Sequence, residues 1–348
     1  MTAAYARMPL ARTMRDMSDS VKTLSARVKD GRRPIRTLLL TPSRATGPDM
    51  LKKIYRSTLR VVLKPVFGST FSIGFQRHWS HYLSVAMIGQ RGARANLQNM
   101  NGVPAERVTV GDPAADLAIL YLHGGGYNIL SARAYRALTG RFAKASGVAV
   151  HVPDYRLAPE HPHPAALEDA LSAYRWLRKQ GLRHIAIAGD SAGGGLALAT
   201  AVALRDAGEP MPVALALISP WVDLASRGET YWTHVQRDPQ LTPDGVTRWA
   251  RAYTGDLPLD HPLCSPLYAD LKGLPPMLIH VGSEEILLSD SLSLKERARV
   301  AGVDVQLREF EGLWHDFQVQ AGIVKEGAES LKTLGAFLRG HLNRSASL

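Results

Sequence analysis

The sequence predicts an α/β fold built on a mostly parallel central sheet with helices on both faces. From about residue 105 onward, short apolar runs alternate with helix-like stretches, the pattern of parallel strands joined by crossover helices. One of these units carries a sharp signature. The apolar run 185–188 leads into Gly189-Asp190-Ser191-Ala192-Gly193, and an alanine- and leucine-rich helical stretch follows. Charge points to a neutral body with a basic appendage: residues 1–64 hold 15 Lys/Arg against 4 Asp/Glu and account for the whole net charge of +11.

Along the chain, Leu10, Met14, Met17, Val21, Leu24 and Val28 recur at spacings of four and three. They form one apolar stripe on a helix whose other faces carry Arg12, Arg15, Lys22, Arg27 and Lys29. Such a helix either packs on its own protein with a solvated basic back, or rests on an anionic membrane surface or a partner helix. Residues 31–49, punctuated by Gly and Pro, read as a linker, and 51–63 as a second basic helix. Residues 72–87, with Phe75, Trp79, Tyr82 and Leu83, read as a helix with an apolar face. Strands are expected at 107–110, 117–122, 148–152, 185–188, 213–218, 277–281 and 303–309. Helices are expected at 132–145, 165–180, 192–207, 289–300 and 323–342. Residues 221–262 hold Trp221, Trp232 and Trp249 among prolines, fit no strand and read as an insertion above the sheet. The chain thus divides into a basic helical segment, 1–104, and a catalytic domain, 105–348.

A single cysteine, Cys264, excludes an internal disulfide and a thiolate metal cluster, and fits a reducing, cytoplasmic setting. No apolar stretch approaches the roughly 18 residues of a membrane-spanning helix. The N-terminus lacks the compact apolar run and cleavage site of a secretory signal. With the basicity confined to residues 1–64, nothing calls for a nucleic-acid partner; an anionic membrane surface is the alternative partner for that segment. The sequence assigns no oligomeric state.

A G-x-S-x-G turn between strand and helix is the form of a nucleophile elbow. Gly189 and Gly193 allow the tight turn, Ser191 projects into a cleft, and the helix beginning at Ala192 aims free N–H groups at the same place. Upstream by 68 residues, the run 117–122 ends in His123-Gly124-Gly125-Gly126, a loop able to lie against a substrate and donate N–H groups. Gly125, Gly126 and Ala192 are the candidate oxyanion hole. A nucleophilic serine needs a base, and the base an orienting acid; with this elbow the chain order is serine, acid, histidine. Of 12 histidines, only His315 and His341 follow the last expected strand, and His341 lies in the terminal helix. His315 is therefore the candidate base. His280 falls inside a strand, His161 and His163 sit among prolines as loop residues, and no His or Cys spacing suggests a metal. The acid must come from the loop after 277–281, where Glu284, Glu285 and Asp290 compete. Asp290 reads as a cap of the next helix, and between the two glutamates the residues alone do not decide. Asp190 reads as an anchor of the elbow, and Tyr127 and Trp221 as walls of a pocket.

Four motifs now stand in order: His123-Gly124-Gly125-Gly126-Tyr127, Asp154-Tyr155-Arg156-Leu157-Ala158-Pro159-Glu160-His161-Pro162, Gly189 to Gly193, and Trp314-His315-Asp316-Phe317. Over about residues 100–320 the chain resembles the hormone-sensitive-lipase-like group of α/β-hydrolases, the bacterial family IV esterases. The resemblance implies carboxylesterase or lipase activity on a small-molecule ester or lipid, no cofactor, and a helical cap formed by the N-terminal segment and the insertion near 221–262. The family's G-x-x-[D/E]-x-L pattern places the acid at Glu285. Three features depart from that family: Asp316 where glycine usually follows the histidine, one evident strand before Leu117 instead of two, and a longer, more basic first 64 residues. The implied reaction is acyl transfer from short- to medium-chain esters through Ser191, His315 and Glu285. The alternatives are lipolysis of longer chains at a membrane surface and a non-catalytic ligand receptor on the same scaffold, which typically lacks the histidine that His315 supplies.

Overall fold

Side chains alternate across a strand, so a strand buried on both faces must be apolar at every position. The chain has several such runs, and they form a single sheet. The computed structural model describes residues 48–85 and 87–346. Its strands are β1 (Ala93–Met100), β2 (Val103–Val110), β3 (Ala114–Leu122), β4 (Val148–Pro153), β5 (His184–Asp190), β6 (Leu215–Ile218), β7 (Met277–Gly282) and β8 (Val305–Phe310). They lie in the order β1-β2-β4-β3-β5-β6-β7-β8. The β1–β2 and β2–β4 pairs are antiparallel, and every other neighbouring pair is parallel.

The helices are α1 (Pro48–Val62), α2 (Lys64–Phe67), α3 (Ile73–Val85), α4 (Arg136–Ser146), α5 (Ala165–Lys179), α6 (Ala192–Asp206), α7 (Thr230–Thr233), α8 (Pro243–Thr254), α9 (Leu288–Val300) and α10 (Lys325–Ala346). In β3, Ala118, Leu120 and Leu122 face a core shared with α5, α6 and α9, while Leu117, Ile119 and Tyr121 face a second core shared with α4 and α10. β5 repeats the division, with Ile185 and Ile187 on the first face and Ala186 and Ala188 on the second. Each fully buried Leu or Ile contributes roughly 1.5–3 kcal/mol relative to an exposed one, so the two-sided sheet is the main source of stability.

The expected strands and helices from residue 107 onward are present, with ends shifted by a few residues. One strand has no counterpart among the expectations. β1 pairs in full register with β2, giving two strands before residue 117. It lies at the sheet edge, its side chains are mostly exposed or half-buried, and it includes Arg94, Asn96 and Gln98, so it offers no apolar run. The apolar stripe over 10–28 and the linker up to residue 47 lie outside the described residues. No helix among the described residues is long and apolar enough to cross a membrane.

The second basic helix is α1, and most of its charge is spent on the body of the protein. Lys52 pairs with Glu326 at 2.6 Å, and Arg56 with Glu284 at 2.6 Å. Arg56 also donates to the Arg237 carbonyl, Arg60 to that of Gln236, and Lys64, just beyond the helix, to those of Val235 and Asp238. Further along, the buried Gln76 of α3 accepts from Trp249 Nε1 of α8 at 2.9 Å, and Arg248 of α8 donates to the Ser69 and Phe71 carbonyls. The N-terminal helices and the 221–262 insertion are thereby knitted into one layer.

Candidate active site

The parallel strands end on one side of the sheet, and the loops that leave them there carry the chemistry. Ser191 follows β5 with φ 50° and ψ −122°, a left-handed conformation at a non-glycine residue. Hydrogen bonds hold it there: Ser191 N donates to Ile218 O, and Trp221 N donates to Ser191 O, both at 2.9 Å. The flanking glycines serve close approach. A Cβ at Gly193 would lie 2.0 Å from Leu122 O, so only glycine lets α6 start against the end of β3.

His315 lies in the loop after β8 and Glu285 in the loop after β7. His315 Nε2 is 3.0 Å from Ser191 Oγ, and its Nδ1 is 2.7 Å from Glu285 Oε2. The other oxygen, Glu285 Oε1, accepts from Gly282 N at 2.7 Å and from Ser219 Oγ at 2.8 Å. All three side chains are buried, Glu285 completely. Glu284 points elsewhere, to Arg56 and Arg237. Burial opposes its ionisation, but the Arg237 and Arg56 hydrogen bonds prevail and hold its carboxyl below the usual range.

Gly125 and Gly126 lie beside Ser191 on the same cavity, and Ala192 opens α6, where the first-turn N–H groups have no helical acceptor. Gly125, at φ 110°, takes a conformation that side chains resist. His123, at the head of this loop, is buried and stacks on Tyr155, with ring centroids 4.3 Å apart. Asp190 ties the loop to the elbow, accepting from Tyr121 Oη at 2.8 Å, Tyr135 Oη at 2.5 Å and Gly124 N at 3.1 Å.

A second carboxylate stands beside the imidazole. Asp316 Oδ2 is 3.1 Å from His315 Nε2, the nitrogen that faces Ser191. Burial alone would lower the pKa of His315, but Asp316 and Glu285 together outweigh it and hold the pKa well above the ordinary histidine value. Like Ser191, Asp316 occupies a left-handed conformation, at φ 51°.

Above these groups lies a cavity of about 270 Å³. Leu59, Leu63, Leu83, Leu138, Trp249 and Ile323 give it a predominantly apolar wall, with Ser191 and His315 exposed to it. The candidate residues Ser191, Glu285, His315, Gly125, Gly126 and Ala192 thus come together. Tyr127 and Trp221 do not wall the cavity. Both are buried in the core, Tyr127 stacked on Tyr253 at 3.7 Å, and the indole facing the cavity is that of Trp249, packed against Gly126. Asp290 is not a helix cap either; it lies in the first turn of α9 and accepts from Val222 N and Asp223 N at 2.9 Å, holding the start of the insertion. His280 is a buried β7 residue bound to Ser330.

Two contributors escaped the sequence reading. Ser219 supports Glu285, and Gln240 in the insertion donates Nε2 to His315 O at 2.5 Å. Ser219 directly follows an apolar strand run, a position that signals a site in such sheets. Gln240 had no comparable signal.

The family model described as alpha/beta hydrolase fold matches residues 119–319. An acetyl-hydrolase of Streptomyces hygroscopicus is 42% identical over 252 residues, covering 69% of this chain and 84% of the relative. The carboxylesterase/phospholipase LipF of Mycobacterium tuberculosis (strain ATCC 25618 / H37Rv) is 33% identical over 313 residues, covering 84% of this chain and 83% of the relative. The crystal structure of an esterase from the bacterial hormone-sensitive lipase family superposes with a TM-score of 0.79 at 39% identity, covering 86% of this chain and 99% of that one. With its eight-stranded sheet, elbow and strand-end loops, the chain belongs to the hormone-sensitive-lipase-like, family IV esterases of the α/β-hydrolase fold.

Proposed function

We propose that this carboxylic ester hydrolase works through a Ser191–His315–Glu285 triad and an acyl-enzyme. The observation that carries the reading is the unbroken chain of hydrogen bonds from Ser191 Oγ through both imidazole nitrogens to Glu285, opening on an apolar cavity. Glu285 fixes the ring proton on Nδ1, which leaves Nε2 to accept the serine proton. Ser191 Oγ then attacks the ester carbonyl, and the N–H groups of Gly125, Gly126 and Ala192 receive the negative charge on its oxygen. His315 protonates the departing alkoxide, and water repeats the sequence on the acyl group. The cavity volume is at the small end of ligand sites, which favours short- to medium-chain acyl groups. The test is turnover of p-nitrophenyl esters across chain lengths. Ser191→Ala should lower kcat by about 10⁶ while leaving the fold intact; near-parental turnover in that variant would overturn the mechanism.

Membrane-surface lipolysis is a second reading, supported by the ten Lys/Arg against three Asp/Glu in residues 1–47. Three basic side chains of α1, Lys52, Arg56 and Arg60, lend it less support, since their bonds run to the protein itself.

A further inference from the structure

Beside the stacked Tyr127–Tyr253 pair, three metal-ligating side chains converge that the ester chemistry does not use. His163 comes from the loop between β4 and α5, and His261 and Cys264 from the loop after α8. Cys264 Sγ and one ring nitrogen of each histidine lie within 4.8 Å of one another. Backbone hydrogen bonds hold each contributor. His163 N donates to Tyr253 O at 2.7 Å; Cys264 N and Ser265 N both donate to His261 O, at 2.9 and 2.8 Å. That turn sets the i and i+3 side chains next to each other. The two imidazole centroids are 5.7 Å apart. Cys264 is fully buried and the histidines half-buried, so an ion can reach the thiol from the histidine side.

We propose that His163, His261 and Cys264 bind one borderline transition-metal ion, Zn²⁺ by its match to two imidazoles and a thiolate, with water completing a tetrahedron. The set contains no carboxylate, which disfavours Mg²⁺ and Ca²⁺. Tetrahedral bonds of about 2.0–2.1 Å to nitrogen and 2.3 Å to sulfur put the donors roughly 3.3–3.6 Å apart. From separations of at most 4.8 Å the donors must close by about an ångström, and imidazole χ2 is a soft torsion. Burial, followed by the neighbouring His261, lowers the pKa of His163 and keeps its ring in the neutral, ligating form. Burial pushes the Cys264 thiol up to about 12, so the empty site holds S–H. Binding breaks that bond, forms a metal–sulfur bond and releases one proton to solvent, with no change of oxidation state. The ion would clamp the loop after α8 to the loop before α5. It takes no part in the ester chemistry at Ser191.

The test uses the full chain, stripped of metal with a chelator and titrated with Co²⁺. Cys264 is the only cysteine, so a thiolate-to-Co²⁺ charge-transfer band reports this site alone, and an ion held by His315 gives none. The expected result is a one-to-one band, one proton released per ion, and loss of the band on adding Zn²⁺. Cys264→Ser should abolish the band with ester turnover retained. The half-buried substitution His261→Ala should weaken binding roughly tenfold or more, and it serves if the serine variant does not fold. A folded parent with no band at saturating Co²⁺, or a His261→Ala variant with undiminished affinity, overturns the site.

Discussion

At the scale of residues, the two carboxylates around His315 act on opposite nitrogens. Glu285 bonds Nδ1, whereas Asp316 reaches Nε2 in competition with Ser191. A base must be neutral to accept the serine proton. Asp316 and Glu285 outweigh burial and raise the His315 pKa, so the ring stays protonated to higher pH and the acid limb of kcat/KM sits high. Asp316→Asn removes one of those charges, and the acid limb should move to lower pH. An unmoved limb in the pH–rate profile would show that Asp316 does not act on His315. The adjacent glutamates separate equally cleanly. Glu285→Gln should cost about 10⁴ in kcat, because an amide can hold the wrong imidazole tautomer. Glu284→Gln should leave kcat near parental and lower the Tm instead, since Arg56 and Arg237 lose their partner. A large kinetic loss at Glu284 would reverse the two assignments.

At the scale of elements, α1 explains how a basic helix can belong to a binding cavity. Its charged side chains reach out to Glu284, Glu326 and the carbonyls of 236–237, while Tyr55, Leu59 and Val62 line the cavity wall. One face anchors and another limits the space above Ser191. Leu59→Ala should therefore enlarge the cavity and raise kcat/KM for p-nitrophenyl octanoate relative to the butyrate, at a stability cost of about 2 kcal/mol. An unchanged octanoate-to-butyrate ratio would place the acyl chain away from α1.

For the whole molecule, charge is the distinctive feature, and most of it lies in residues 1–47. Each basic residue at an anionic surface contributes about 1 kcal/mol, and that attraction fades as the Debye length falls from about 10 Å at 0.1 M salt to about 3 Å at 1 M. The full chain should co-sediment with anionic vesicles at low salt and release at high salt, and a chain lacking residues 1–30 should not bind. Equal sedimentation of the two, or binding indifferent to salt, would remove the membrane reading.

The sequence by itself determined the central strands of the sheet and singled out Ser191 and His315 as candidates. Local signals suffice there: unbroken apolar runs for the strands covered on both faces, glycines around Ser191, and two histidines after the last strand, of which His341 falls in the terminal helix. Residues alone left Glu284 and Glu285 equivalent, because neighbours in a loop differ only in where the fold turns them; the family pattern favoured Glu285. The tertiary structure turns Glu285 to His315 and Glu284 outward to two arginines. It also drew β1 into the sheet by edge pairing that its polar sequence did not advertise, and sent Tyr127 and Trp221 into the core while Trp249 faced the cavity. His163 and Cys264, 101 positions apart, meet only because two loops fold over the same end of α8. Such placements depend on which surfaces meet across the fold, and a pattern confined to neighbouring residues does not encode that.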